Sequence, residues 1–387
     1  MHYTSEIGRE TYKICNKCVM DNSDKNLTFN DKGICSCCLD FDNRISRQWN
    51  YGCGHEEELS DLLNDIRLSG KDNEYDCILG LSGGLDSSYL LHLAVKEWNL
   101  RPFVFHVDAG WDLPLATENI NKICNKLGLK LHVEKVNFED MRQLQLAYFQ
   151  TGLPDLDVPQ DHIFISLVDK YSEKLNVKYI LNGYNIATEV VSDPASWSCV
   201  GGYTADKTYL KDVLRKHGGY KTKDYEFTTG FRHKFWLPYI KGVKTVHPLN
   251  YLPITKKLMI DTLVDEYDYV PYEYKHYEDL FTKFLAGFWL PKRFGFDIRK
   301  AQLSSLIITG QMSREEALEI LSTPAISEEE SSCLFSQVAN KLRISEEELQ
   351  YYFELPKVYK KYRNNSWAFK LGIKLYTFLG IDKRIRK

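Results

Sequence analysis

The stretch that most constrains this chain is Ser82-Gly83-Gly84-Leu85-Asp86-Ser87-Ser88. It follows the apolar run Tyr75-Asp76-Cys77-Ile78-Leu79-Gly80-Leu81 and opens a helix-like segment. Paired glycines let the backbone approach an oxyanion, the hydroxyls of Ser82, Ser87 and Ser88 add donors, and the helix behind them presents free N–H groups and its positive dipole end. The string reads as a phosphate cradle. A P-loop would place a lysine on the phosphates; here no lysine stands at that position, and Asp86 offers a carboxylate suited to magnesium instead. A serine-capped glycine turn is the plainer reading of Ser-Gly-Gly alone, but the whole string between a strand and a helix favours nucleotide chemistry.

From Tyr75 the pattern alternates. Strands are expected at 76–81, 102–107, 129–133 and 177–181, and helices at 87–98, 115–127 and near 161–175. Short apolar strands alternating with amphipathic helices predict an α/β fold, a parallel sheet with helices on both faces. Ligands in such sheets bind beyond the carboxyl ends of the strands, which directs attention to the loops after 81, 107 and 181. These hold Asp108-Ala109-Gly110-Trp111 and Asn182-Gly183-Tyr184-Asn185-Ile186-Ala187-Thr188-Glu189. A helix cap for Asp108 and a solvent-facing Glu189 are the plain alternatives; a shared rim with the glycine loop favours function.

The chain has ten cysteines, and four of them set the character of its start: Cys15-x-x-Cys18, then Cys35-x-Cys37-Cys38, with sixteen residues between. Two such knuckles match a tetrahedral zinc ribbon with Cys15, Cys18, Cys35 and Cys38 as ligands. Cys37, one residue from Cys35, bites a metal poorly, and a redox disulfide is the competing reading. Cys53, Cys77, Cys124, Cys199 and Cys333 are scattered and read as core fillers. The expected division is a ribbon over 1–45, a helical connector over 46–74, a nucleotide domain over 75–255 and a mainly helical substrate and assembly region over 256–387. The connector carries an amphipathic helix at 54–70, with Leu59, Leu62, Leu63 and Ile66 on one face. In the last region Gly287 to Phe296 is too broken for a long helix, and Ser313 to Glu316 and Ser345 to Glu348 read as helix caps. The basic, aromatic segment 357–387 reads as a solvated helix face. A formal net charge of −3 gives no ground for a polyanionic partner. With no signal-like start and no membrane-length apolar stretch, a cytoplasmic protein is expected, with neither membrane insertion nor nucleic-acid binding.

Ser82 to Ser87 carry the Ser-Gly-Gly-x-Asp-Ser signature of the PP-loop pyrophosphatase superfamily, which the chain resembles. Within it the chain is most similar to the N-acetyl sugar amidotransferases, over nearly its whole length. The matching pieces include the ribbon with Cys18-Val19-Met20-Asp21, Gly80 to Tyr89, Asp108 to Trp111, Pro159-Gln160-Asp161-His162 and Asn182 to Glu189. Further along they include His247 to Tyr251, Tyr274-Lys275-His276-Tyr277-Glu278 and Leu303 to Ile307. Glu278-Asp279 and Ala301-Gln302 depart from the family's usual residues. The resemblance implies AMP transfer from ATP to an acetamido oxygen of a surface-polysaccharide sugar, then substitution by ammonia to give an acetamidino group. It implies that Ser82, Gly83, Gly84, Asp86, Ser87 and Ser88 hold phosphates, with Asp108, Gly183 and Asn185 beside the nucleotide. Asp86 and Glu189 become magnesium carboxylates, Lys256 and Lys275 candidate cations for developing phosphate charge, and Asp161 and His162 candidates to orient the acetamido group or relay a proton. A structural histidine is the plain alternative for His162. No glutaminase is visible in the chain, so the resemblance implies separate glutaminase and cyclase-like subunits that deliver ammonia. tRNA thiolation enzymes also join a zinc ribbon to a PP-loop, but they usually carry Lys where Leu85 stands and paired catalytic cysteines, whereas Cys77, Cys124 and Cys199 form no pair. A non-catalytic scaffold is disfavoured by the intact signature.

Overall fold

The computed structural model describes residues 12–192, 197, 204–357 and 362–365. Five strands, β1 (Cys77–Gly80), β2 (Pro102–Asp108), β3 (His132–Lys135), β4 (Tyr179–Leu181) and β5 (Lys244–Val246), form one sheet in the order β3-β2-β1-β4-β5. Every neighbouring pair is parallel. Successive strand residues point to opposite faces, and here both faces are covered. Ile78, Phe103, Phe105 and Ile180 enter one apolar core, while Cys77, Leu79, Val104 and Leu181 enter the other. From β1 the chain proceeds to β2 on one side and later to β4 on the other, so the strand order reverses at β1. The loops leaving β1 and β4 therefore open side by side at the crevice where such sheets take their ligands.

The helix after β1, Leu85–His92, runs on as a π-helical turn to Glu97, and the one after β2 spans Pro114–Leu127, with proline in its first turn and Gly128 left-handed at its end. The expected helix near 161–175 is Val158–Lys174. No strand was expected at β5, and three further elements differ from the sequence expectation. The strand expected at 129–133 lies at His132–Lys135, because a half-exposed edge strand has no continuous apolar run to mark it. The helix Phe138–Phe149 was not anticipated, although Asn137 caps it by accepting from the N–H groups of Glu139 and Asp140. Most of Gly287 to Phe296 is helical after all: Leu280–Phe284 continues as the π-helical Leu285–Phe294, whose wider turn accommodates Pro291 and which ends at the left-handed Gly295. At the expected caps, Ser313 forms a reciprocal capping box with Glu316, and Ser345 accepts from the Glu348 N–H.

The ribbon cysteines Cys15, Cys18, Cys35 and Cys38 are fully buried in the same apolar core as Leu79 and Leu90. The C-terminal helices hold the knuckle from outside. Arg314 donates to the carbonyls of Cys15 and Cys18 at 3.0–3.2 Å, Ser304 Oγ accepts from the Val19 N–H at 3.2 Å, and Lys300 pairs with the buried Asp21. Most of the basic segment 357–387 lies outside the described residues, as does Cys199.

Candidate functional site

At the sheet crevice the glycine loop turns from β1 into the helix Leu85–His92. Gly83 adopts φ +83°, and a Cβ there would sit 2.8 Å from the Ala116 carbonyl oxygen; one on Gly84 would sit 2.6 Å from Glu278 Oε1. Gly83 thus requires glycine, whereas at Gly84, with φ −75°, a Cβ would only push the Glu278 carboxylate aside. Ser87 Oγ accepts from the Ser82 N–H at 3.3 Å and lies 3.2 Å from Ser82 Oγ, which donates to Glu278 Oε1 at 3.2 Å. The turn is thereby fixed from both ends of the chain.

Directly below it three charged groups converge. Lys275 Nζ lies 2.7 Å from Asp86 Oδ2 and 2.7 Å from Glu189 Oε1. Asn185, fully buried, donates through Nδ2 to Asp86 Oδ1 at 2.7 Å, and its backbone N–H reaches Glu189 Oε2 at 3.3 Å. Asn185 also caps the short helix Ile186–Glu189, accepting from the Thr188 N–H, which is what aims Glu189 at the loop. Burial works against the Lys275 charge, but Asp86 and Glu189 outweigh it and raise its pKa. Lys256 stands on the same wall; burial, aided by the charge of Lys275, holds its pKa below the usual lysine value against the pull of Asp86.

The site opens into a cavity of about 880 Å³. Its wall includes Ser82, Gly84, Asp86, Ser87, Gly183, Glu189, Asp161, Lys256 and Lys275, so most of the residues singled out in the sequence share one space. Five do not form its wall, although Asn185 and Gly83 shape it from behind. Ser88 is buried behind the loop with its hydroxyl unpartnered among the described residues, and Asp108 accepts from the Gly110 N–H at 2.9 Å as a turn residue. His162 is fully buried, with Nδ1 2.6 Å from the Thr204 carbonyl and Nε2 accepting from the Thr228 N–H at 3.2 Å; burial pushes its pKa down to about 4. That is the satisfied structural histidine. His162→Ala leaves both backbone groups unpaired, and we expect a loss of about 2–3 kcal/mol in unfolding free energy, measured by denaturant titration.

Sequence reasoning missed two parts of the wall. His106 on β2 faces acceptors with both ring nitrogens, the Leu81 carbonyl at 2.8 Å and Asp112 Oδ2 at 2.7 Å. Burial opposes its charge, yet the hydrogen bond and charge of Asp112 raise its pKa overall. The second part is an acidic group brought together from distant segments. Asp157 and Asp279 share two donors: Gln160 Nε2 at 2.8 and 3.3 Å, and Thr282 Oγ1 at 2.8 and 3.1 Å. The pairing of Asp112 with Asp279 in an isolated antiparallel bridge delivers Asp279 there. Burial and the neighbouring charges of Asp161 and Asp279 push Asp157 up to about 8, and burial, aided by Asp112, pushes Asp279 up to about 6.

Asp161 lines the cavity as an exposed residue, and desolvation by the surrounding wall with the charge of Asp155 pushes its pKa up to about 7. The folded protein therefore keeps a proton on Asp161 that the unfolded chain releases near pH 4, so stability falls as pH rises between about 4 and 7. Asp161→Asn removes this dependence. The variant should melt higher than the parent at pH 8, and the difference should shrink to nothing near pH 4; a difference that does not change with pH would contradict the assignment.

Four cysteine sulfurs, those of Cys15, Cys18, Cys35 and Cys38, lie within 4.8 Å of one another, with 3.9 Å between Cys15 and Cys38 and 3.6 Å between Cys18 and Cys35. A zinc tetrahedron with 2.3 Å bonds has edges of about 3.8 Å, so the quartet fits the ion. Cys37 stays out of the cluster.

A parallel sheet with this loop at its reversal point defines a PP-loop nucleotide domain, a member of an ATP-using superfamily. Residues 76–151 match the family described as the phosphoadenosine phosphosulfate reductase domain, and residues 278–376 match the C-terminal domain of WbpG-like LPS biosynthesis proteins. The chain thus carries a match to a PP-loop domain followed by a match to a WbpG-like C-terminal domain. An uncharacterized protein of Methanocaldococcus jannaschii is 23% identical over 176 residues, 44% of this chain and 59% of that protein, so the chain spans less than two thirds of that relative. Among solved structures, NH3-dependent NAD synthetase from Campylobacter jejuni is 16% identical, covering 42% of this chain and 72% of that one at a TM-score of 0.28. NMN synthetase from Francisella tularensis is 12% identical, with 55% and 92% covered and a TM-score of 0.28. The tRNA thiolase NcsA from Methanococcus maripaludis is 14% identical, with 70% and 82% covered and a TM-score of 0.30.

Proposed function

We propose that this chain is an ATP-dependent amidotransferase that adenylates the acetamido oxygen of an N-acetylated sugar, nucleotide-linked or a nonulosonate, and replaces that oxygen with ammonia. The products are an acetamidino sugar, AMP and pyrophosphate, in bacterial surface-polysaccharide biosynthesis. The observation that carries the reading is the convergence of Asp86, Glu189 and Lys275 beneath a glycine loop without a P-loop lysine, at the mouth of a cavity roomy enough for a second substrate. The WbpG-like match over 278–376 supports the sugar substrate class.

An amide carbonyl resists amines until its oxygen becomes a leaving group. In the first step the acetamido oxygen forms a bond to the α-phosphorus and the bond from that phosphorus to pyrophosphate breaks. Ser82, Gly84 and Ser87 hold the departing phosphates, and Lys275 with Lys256 offsets the charge that develops on them. In the second step ammonia adds to the imidate carbon, the bond to AMP breaks and a proton leaves the nitrogen; Asp161, with its raised pKa, is the acceptor we assign. The hard carboxylate oxygens of Asp86 and Glu189 are the donors that would hold a magnesium ion, which when bound neutralises phosphate charge. Ammonia is supplied by separate glutaminase and cyclase-like subunits. A thiolation reading gains nothing from the described cysteines: burial raises the pKa of both Cys77 and Cys124, the latter to about 11, keeping them as inert thiols.

Incubation with ATP, magnesium, ammonium and a panel of N-acetyl sugar nucleotides and nonulosonates should yield AMP and an acetamidino product. Release of ADP, or thiolation of tRNA, would overturn the proposal.

A further inference from the structure

Five of the fourteen large apolar side chains exposed among the described residues fall within ten positions: Phe231, Phe235, Trp236, Tyr239 and Ile240. They lie on or beside the π-helix Arg232–Ile240, whose i→i+5 winding brings residues four to five apart onto one face. Phe231, Phe235 and Tyr239 make a row of rings 5.2 and 5.7 Å apart, with 65%, 46% and 54% of their surfaces exposed. The opposite face is anchored: Leu237 is buried, Arg232 pairs with Glu173, His233 Nδ1 lies 2.8 Å from Asp169, and Trp236 Nε1 donates to Glu173 at 3.1 Å. An ion pair and hydrogen bonds to Glu173 and Asp169 thus hold the helix with its aromatic ridge outward.

Apart from Glu173 and Asp169, which anchor the helix from its inner side, the charge along the ridge's own segment has one sign. From Phe227 to Ile260 there is no Asp or Glu, in a chain whose formal net charge is −3, while Lys234, Lys241 and Lys244 stand exposed on or beside the ridge. A ridge of Phe, Trp, Tyr and Ile interleaved with lysines has the chemistry that sits at the headgroup level of an anionic bilayer, rings at the acyl boundary and ammonium groups on the phosphates. We propose that this ridge docks the protein onto an anionic membrane surface, without spanning it. Among the described residues no helix is long and apolar enough to cross.

The test is co-sedimentation of the full chain with vesicles of phosphatidylcholine alone or of equal parts phosphatidylcholine and phosphatidylglycerol. Binding is expected to the mixed vesicles only, to weaken with added salt, and to blue-shift tryptophan emission. The double variant Phe231→Ser, Phe235→Ser and, separately, Lys234→Glu, Lys241→Glu should each bind about tenfold or more weakly. All four residues are exposed, so both variants should keep the parental circular dichroism. Equal binding to both vesicles, no binding, or unchanged binding by both variants would overturn the proposal. So would a dimer that the serine pair converts to monomer, since the ridge would then be a contact between copies.

Discussion

Asp86→Asn is expected to lower pyrophosphate formation by roughly a hundred- to thousand-fold while leaving the melting temperature near that of the parent. The substitution keeps shape and keeps an oxygen to accept from Asn185 Nδ2, now 2.7 Å from the carboxylate, so the loop stays tied to the short helix Ile186–Glu189. What it removes is charge. Lys275 retains Glu189 at 2.7 Å and is not left alone, which is why folding should survive. The pair of carboxylates proposed to hold magnesium becomes a single one, and the charge balance on which pyrophosphate departure would depend is lost. ATP affinity measured alongside turnover separates the two roles of the loop: binding by Ser82, Gly84 and Ser87 should persist while turnover falls. Unchanged turnover in this variant would remove Asp86 from the chemistry.

Asp86 and its loop were legible because they are local. A strand, two glycines, a carboxylate and a helix start fall within a dozen residues, and the same holds for the cysteine knuckles. Asn185 and Glu189 were legible through topology, since a β4 loop in a doubly wound sheet must open beside the β1 loop. The acidic wall was not: Gln160 reaches Asp157 within one helical turn but Asp279 across 119 positions, and no pattern in either segment announces the other. His106 was hidden differently, as an ordinary member of an apolar strand whose significance appears only when Asp112 folds back onto it. β5 escaped notice because three residues, Lys244–Val246, with two of them exposed, carry no strand periodicity. His162 shows the reverse error: a motif placed it in the chemistry, while its burial and two backbone partners make it part of the frame.

Removing the ribbon metal is expected to destabilise far more than the ribbon. Apparent zinc affinities of such quartets are on the order of 10 kcal/mol at neutral pH, and without the ion four buried thiols must remain neutral in a space built for thiolates. A ribbon this short has no core of its own, so its loss of order should be complete. Arg314 would lose the carbonyls of Cys15 and Cys18, Lys300 would lose Asp21, and Ser304 would lose the Val19 N–H. Those three partners sit on or at the start of the helices Arg299–Ile308 and Arg314–Leu321, which also wall the cavity through Leu303, Leu306 and Ile320. Chelation, or Cys35→Ser, should therefore release about one zinc per chain, expose both the ribbon and these helices to protease, and lower the melting temperature by roughly five to ten degrees, about what loss of a few kcal/mol causes in a large domain. Cys37→Ser, whose sulfur lies outside the quartet, should retain the metal and the parental melting curve. A Cys35→Ser protein that keeps full zinc and full stability, or a parent protein that purifies with iron in place of zinc, would show that the quartet is not the structural zinc site its geometry describes.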